Sequence, residues 1–161
     1  MFFTGTDMFE GDGAAATFHS VIKSGGNGLV MAKVYASSNL VAKTPYNVNV
    51  AYGTESVANW FRCTEPTASN IGLIGIPSAA VASGCVGWVT IRGVVEDVAF
   101  PAESLTGSVG TAIYQKSAGL GGTGSAFIGA VHQVGINLVT VGNESTTGTI
   151  YLTGNLYAQS L

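Results

Sequence analysis

Apolar and polar residues alternate in short runs along most of this chain, and turn-forming residues separate the runs. Residues 47–52 alternate strictly in polarity, and residues 86–98 are the segment richest in β-branched side chains. Similar runs cover residues 29–35, 60–63, 109–114, 127–132, 136–141 and 149–157. Such runs are typical of half-buried strands. The sequence therefore predicts an all-β fold, with one β-sandwich or β-barrel-like domain of short antiparallel strands and little helix.

The final run shows the period of two most clearly. One face carries Ile150, Leu152 and Leu156, and the other carries Tyr151, Thr153, Asn155 and Tyr157. The second face is uncharged, which suits a sheet that packs on both sides or faces a neighbouring subunit.

Charged side chains are scarce, and this limits the chemistry available to the chain. They make up 9% of the 161 residues, where about a quarter is usual for a soluble domain. The net charge of -3 leaves no basic footprint for nucleic acid or an anionic membrane, so neither is a predicted partner. No apolar stretch approaches the roughly 20 residues that span a bilayer, and the first residues lack the features of a signal peptide. A poorly charged surface instead predicts a structural protein that self-associates.

The first 27 residues differ in character from the rest. Phe2, Phe3 and Phe9 alternate with polar residues, and the segment closes on a glycine-rich stretch at residues 24–28. This pattern predicts an N-terminal arm over residues 1–27, attached by a flexible hinge to a β-rich domain over residues 28–161. The three phenylalanines are candidate docking residues for a partner. The alternative is that their rings fold back onto the chain's own domain.

The motifs that might carry catalysis or bind a cofactor have simpler structural interpretations. Residues 119–124 match GxGxxG, but their flanks resemble strands and no helix follows to receive a pyrophosphate, so a glycine-rich surface loop is predicted. His19 and His132 have no carboxylate three or four residues away. Glu96 and Asp97 are neighbours in a strand and would point to opposite faces. No enzymatic activity, cofactor or metal is therefore predicted.

The two cysteines, Cys63 and Cys85, do not have the spacing of a metal or redox motif. The prediction is two small buried side chains with free thiols, although the sequence leaves a disulfide open.

Trp88 and Arg92 are four residues apart in the β-branched run, so a regular strand would place them on one face. Both are residue types that anchor protein interfaces, which makes them candidate interface residues. The alternative for Trp88 is a core anchor of the β domain.

Several segments in the second half of the chain match a pattern of short glycine-containing strands. They are Gly87-Trp88-Val89, Gly93-Val94-Val95, Gly107-Ser108-Val109-Gly110-Thr111, residues 128–131 and residues 148–152. In these segments the chain resembles the small head-decoration, or cement, proteins of tailed bacteriophages.

The resemblance implies a β-rich virion protein, assembled in the host cytoplasm, that binds the outside of an icosahedral capsid. It implies homotrimers that clamp neighbouring subunits of the major capsid protein. Such a task needs no catalytic residue, because many copies around symmetry axes supply the affinity. The alternative is a virion adhesion module that binds a receptor or glycan through Tyr35, Tyr46, Tyr52, Tyr151 and Tyr157. A hydrolase is a third class, for which the sequence offers no recognisable nucleophile motif.

Overall fold

The computed structural model describes residues 22–50, 61–65, 73–99, 108–116, 119–121, 133–140 and 146–154. Within these ranges the regular elements are ten strands and one 3₁₀ turn, Gly26–Gly28. The strands are β1 (Ile22–Ser24), β2 (Val30–Ala36), β3 (Tyr46–Val50), β4 (Phe61–Thr64), β5 (Leu73–Pro77), β6 (Val86–Ala99), β7 (Ala112–Lys116), β8 (Gly119–Gly121), β9 (Gln133–Asn137) and β10 (Thr147–Leu152). The predicted all-β fold is confirmed.

Five of these strands close into a barrel in the order β2-β4-β3-β5-β6, with β6 pairing back to β2. The side chains inside the barrel come from alternate positions along its strands, as the period of two requires. On β2 they are Ala32, Val34 and Ala36, all fully buried. The rest of this cluster consists of Leu40, Tyr46, Val48, Phe61, Cys63, Leu73, Val89 and Ile91. The alternation seen in the sequence therefore builds the barrel interior.

β6 is 14 residues long and joins the barrel to a second sheet. Its first half pairs with β2, and its second half pairs with β10, which continues the sheet in the order β10-β9-β7-β8. The register between β6 and β2 shifts at Ile91 of β6. The register between β6 and β10 shifts at Glu96 and Asp97 of β6. Each shift is a β-bulge, which bends a strand and increases its twist. The bulges allow one strand to serve both sheets.

A second hydrophobic cluster forms where the outer side of β5 meets the second sheet. Ile74 and Ile76 of β5 belong to this cluster, while Leu73 of the same strand belongs to the barrel interior. The other members are Val95, Val98, Ile113, Val134, Ile150 and Leu152. β5 is buried on both faces, and its sequence is accordingly continuously apolar.

The positions of several strands agree with the sequence analysis, and three strands were missed. β2, β3, β4, β6, β7, β9 and β10 overlap predicted runs, while β1, β5 and β8 were not predicted. Residues 119–121, predicted as a loop, pair with β7 as β8. β6 covers the predicted run 86–98 almost completely. One detail of the prediction is wrong, since the strands are not all antiparallel: β2 pairs with β4 in parallel. The predicted run 127–132 lies outside the described residues.

β1 lies within the segment that the sequence assigns to the N-terminal arm, and its residues pair with β2. Residues 1–21 lie outside the described residues. In the part of the chain that the structure describes, no helix has the length and apolar character to cross a membrane.

Candidate interaction surfaces

A tryptophan lies beside two lysines on the outer face of the barrel. Trp88 of β6 pairs with Lys33 of β2, and Lys23 of β1 pairs with Met31, two residues before Lys33. The Nζ atom of Lys23 lies 4.1 Å from the centroid of the Trp88 ring, and that of Lys33 lies 5.8 Å away. We call Lys23, Lys33 and Trp88 the lysine–tryptophan patch.

Both ammonium groups are within the distance at which the negative face of an aromatic ring attracts a cation. Such contacts are worth about 0.5–1 kcal/mol at exposed sites. All three side chains are partly exposed. The register also places Tyr35 and Arg62 on this face, because Tyr35 alternates with Lys33 along β2 and pairs with Arg62 of β4. The outer face therefore combines cations with aromatic rings, a composition suited to a partner that carries carboxylates.

The prediction that Trp88 and Arg92 share one face is wrong. Trp88 pairs with Lys33 and Arg92 pairs with Val30. Lys33 and Val30 are three residues apart on β2 and so lie on opposite faces. Their partners, Trp88 and Arg92, therefore also lie on opposite faces. The bulge at Ile91 inserts one residue and causes this reversal. Nothing in the alternation of the sequence indicates that bulge.

A row of apolar side chains crosses the outer face of the second sheet. Val94 of β6 pairs with Tyr151 of β10, Tyr151 pairs with Ile136 of β9, and Ile136 pairs with Ala112 of β7. Val94 is 44% exposed, and the other three side chains are partly exposed. We call these four residues the valine–tyrosine row. The sequence contained one signal for it, since Tyr151 alternates with the buried Ile150 and Leu152.

The remaining residues with possible chemistry do not come together in the described part of the chain. Cys63 is fully buried, and burial raises the pKa of its thiol to about 12. Cys85 is exposed, which contradicts its predicted burial, and both thiols are free. Cys85 lies in the connection between β5 and β6, where its carbonyl accepts a hydrogen bond from the amide of Ala36 at 2.9 Å. It therefore lies at the barrel rim rather than inside the barrel.

Glu96 and Asp97 are both exposed on β6. Asp97 has a φ of 56°, a left-handed conformation that aspartate tolerates better than most residues. The two carboxylates belong to the bulge opposite β10. Phe2, Phe3, Phe9, His19 and His132 lie outside the described residues. Among the residues that the structure describes, no cluster of three potential metal ligands occurs.

The five tyrosines proposed as a glycan platform do not share one surface. Tyr46 is buried in the barrel, where its hydroxyl accepts a hydrogen bond from the amide of Val41 at 2.8 Å. Tyr35 lies on the outer face of the barrel, and Tyr151 lies on the second sheet. Tyr52 and Tyr157 are not among the described residues. A single platform built from all five is therefore excluded.

Comparison with solved structures gives a similarity to a bacteriophage protein. The chain is similar to the N base of the head fiber protein gp8.5 of bacteriophage phi29, with a TM-score of 0.47 and 14% sequence identity. The similarity covers 81% of this chain and 99% of that one. No protein-family model and no curated protein matches the chain. A similarity at this level does not assign a function by itself.

Proposed function

We propose that this protein is a structural component of a bacteriophage virion that binds the outer surface of an icosahedral capsid. In this role it contacts neighbouring subunits of the major capsid protein and stabilises the shell. The proposal starts from the segments of the sequence that resemble head-decoration proteins. Two of them, Gly93-Val94-Val95 and residues 148–152, lie on the paired strands β6 and β10.

One observation supports the proposal most directly. Val94 and Tyr151 come from these two segments and pair directly with each other on the exposed face of the second sheet. They start the valine–tyrosine row, which presents partly exposed apolar surface across four strands. Apolar and aromatic residues without charge are typical of the centre of protein interfaces. We propose that this row faces the capsid lattice.

The physical basis of capsid stabilisation is mass action. A ligand that binds only the assembled, expanded shell stabilises that shell in proportion to its occupancy. Many copies on one particle each need bury only a modest area. This task requires no reacting group, in agreement with the expectation that the protein is not an enzyme.

The test is binding to expanded capsids assembled from the major capsid protein encoded in the same genome, measured by co-sedimentation. Val94→Asp places a charge in the row and should weaken binding roughly tenfold, or about 1.4 kcal/mol. Val41→Asp is the matched control, because Val41 is 59% exposed and lies outside the row. It should change binding less than about twofold.

Thermal melting of both variants separates a loss of contact from a loss of folding. If the wild-type protein fails to sediment with capsids but binds cell-surface glycans, the adhesion alternative replaces this proposal. Equal weakening by Val94→Asp and Val41→Asp would remove the row from the interface.

A further inference from the structure

Charge is divided unevenly between the described residues and the rest of the chain. All six lysines and arginines lie in the described ranges, together with only three of the nine carboxylates. The first 21 residues contain three carboxylates, Asp7, Glu10 and Asp12, and neither lysine nor arginine. The N-terminal segment is thus acidic, while the described sheets carry an excess of positive charge.

The acidic segment joins the described chain next to the lysine–tryptophan patch. Residue 21 immediately precedes β1, and β1 carries Lys23, whose ammonium group lies over the Trp88 ring. The nine residues 13–21 span at most about 30 Å when fully extended. Residues 1–12 can therefore reach the patch of the same chain. A tethered segment of this length meets its own patch at an effective concentration on the order of millimolar.

We propose that residues 1–12 bind the lysine–tryptophan patch of their own chain. The carboxylates of Asp7, Glu10 and Asp12 pair with Lys23 and Lys33, and the phenylalanine rings of the segment pack beside Trp88. This favours the second of the two interpretations of the N-terminal aromatics, in which they fold back onto the chain's own domain. The inference does not depend on the proposed virion role.

The chemistry of the patch fits this occupant. A lysine ammonium has three N–H donors, so Lys23 and Lys33 can donate hydrogen bonds to carboxylates while they remain beside the Trp88 ring. Aromatic rings pack edge to face or offset against a tryptophan with an additional gain beyond the buried area. Phe2, Phe3 and Phe9 supply such rings within the same twelve residues as the three acids. The segment thus matches both components of the patch.

Carbodiimide cross-linking of the full-length protein tests the contact. The reagent joins a carboxylate to a lysine amine as an amide only where the two groups touch. An equal mixture of ¹⁴N- and ¹⁵N-labelled protein distinguishes links within one chain from links between copies. We expect links from residues 1–12 to Lys23 and Lys33 in peptides of a single isotope. Their yield should fall several-fold at roughly 1 M salt, where the Debye length is about 3 Å.

Two matched variants control the cross-linking. Lys23→Arg together with Lys33→Arg keeps the positive charge but removes the reactive amines, so these links should disappear. Lys43→Arg removes an amine from the loop before β3 and should leave the links unchanged. The proposal is overturned if the links to Lys23 and Lys33 are absent in the wild-type protein, or if they carry mixed isotopes.

A second measurement monitors Trp88 directly in the full-length chain. The chain has two tryptophans, so two indole N–H resonances are expected, and Trp88→Phe assigns the relevant one. Combining Asp7→Asn, Glu10→Gln and Asp12→Asn should shift the Trp88 resonance. Combining Glu65→Gln with Glu96→Gln, which neutralises exposed carboxylates of the described chain, should not. An unmoved Trp88 resonance in the first variant would also overturn the proposal.

Discussion

Replacing Gly75 with alanine is expected to destabilise the protein by about 2–3 kcal/mol, at the upper end of the usual cost of overpacking a core. Gly75 is a buried residue of β5. A Cβ atom at this position would lie 2.6 Å from one methyl carbon of Val48 and 2.6 Å from one of Val89. Favourable contacts between carbon atoms require about 3.5–4.0 Å, so both valines would have to move by roughly 1 Å.

The surroundings of both valines restrict such a movement. Val48 and Val89 are both buried in the barrel interior, and the branched side chain of valine has few accessible rotamers. Urea unfolding of the wild type and of Gly75→Ala, at equal slope, measures the free-energy difference. Gly26→Ala is the matched control, because a Cβ there meets no atom within 4 Å. Its stability should stay within about 0.5 kcal/mol of wild type.

A double variant strengthens this test. Val48→Ala removes one of the two methyl groups that clash, so Gly75→Ala should cost less in that background than in the wild type. If Gly75→Ala is as stable as Gly26→Ala, the interior of the barrel is not packed as described and the closure of β5 between β3 and β6 is wrong.

Four further predictions concern the thiols, the lysine–tryptophan patch and assembly. In the native protein one thiol per chain, Cys85, should react with Ellman's reagent, and Cys63 should react only after unfolding; equal rates for both would contradict the burial of Cys63. Burial raises the pKa of the Cys63 thiol from 9.0 to about 12, so between these pH values the thiol ionises in the unfolded chain but stays protonated in the folded one. The free energy of unfolding should therefore fall as the pH rises from 9.0 to about 12. Cys63→Ala should make this fall with pH smaller. Lys23→Ala should lower the free energy of unfolding by about 0.5–1 kcal/mol, while Lys23→Arg should leave it unchanged. An equal decrease in both variants would exclude the contact between Lys23 and the Trp88 ring. Sedimentation should give the mass of three chains of 16.3 kDa each in solution, or else the particle should carry the chain in groups of three; a monomer in both settings would refute the trimer.

The sequence predicted strands well where alternation and β-branched residues coincide, as in β6 and β10. It missed β5 because Leu73–Pro77 is buried on both faces and therefore does not alternate. Closure of the barrel was also beyond the sequence, because it depends on pairing between β2 and β6, which are far apart in the chain. Such long-range pairing leaves no local pattern.

The interaction surfaces were predictable only in part. Trp88 and Arg92 were selected correctly as strand residues, but the bulge at Ile91 separates their faces. The lysine–tryptophan patch brings together residues of three strands, and the valine–tyrosine row brings together residues of four. Each cluster follows from the register between strands, which a single sequence does not specify when several pairings satisfy the same alternation.

We propose that the protein decorates the outside of a capsid. A cryo-EM map of expanded capsids incubated with the purified protein tests it most directly, with capsids alone as the reference. We expect added density on the outer surface at symmetry-related positions, with β6 and β10 turned towards the shell and Val94 and Tyr151 at the contact. A map indistinguishable from that of the bare capsid, at protein concentrations that saturate any binding, would contradict it.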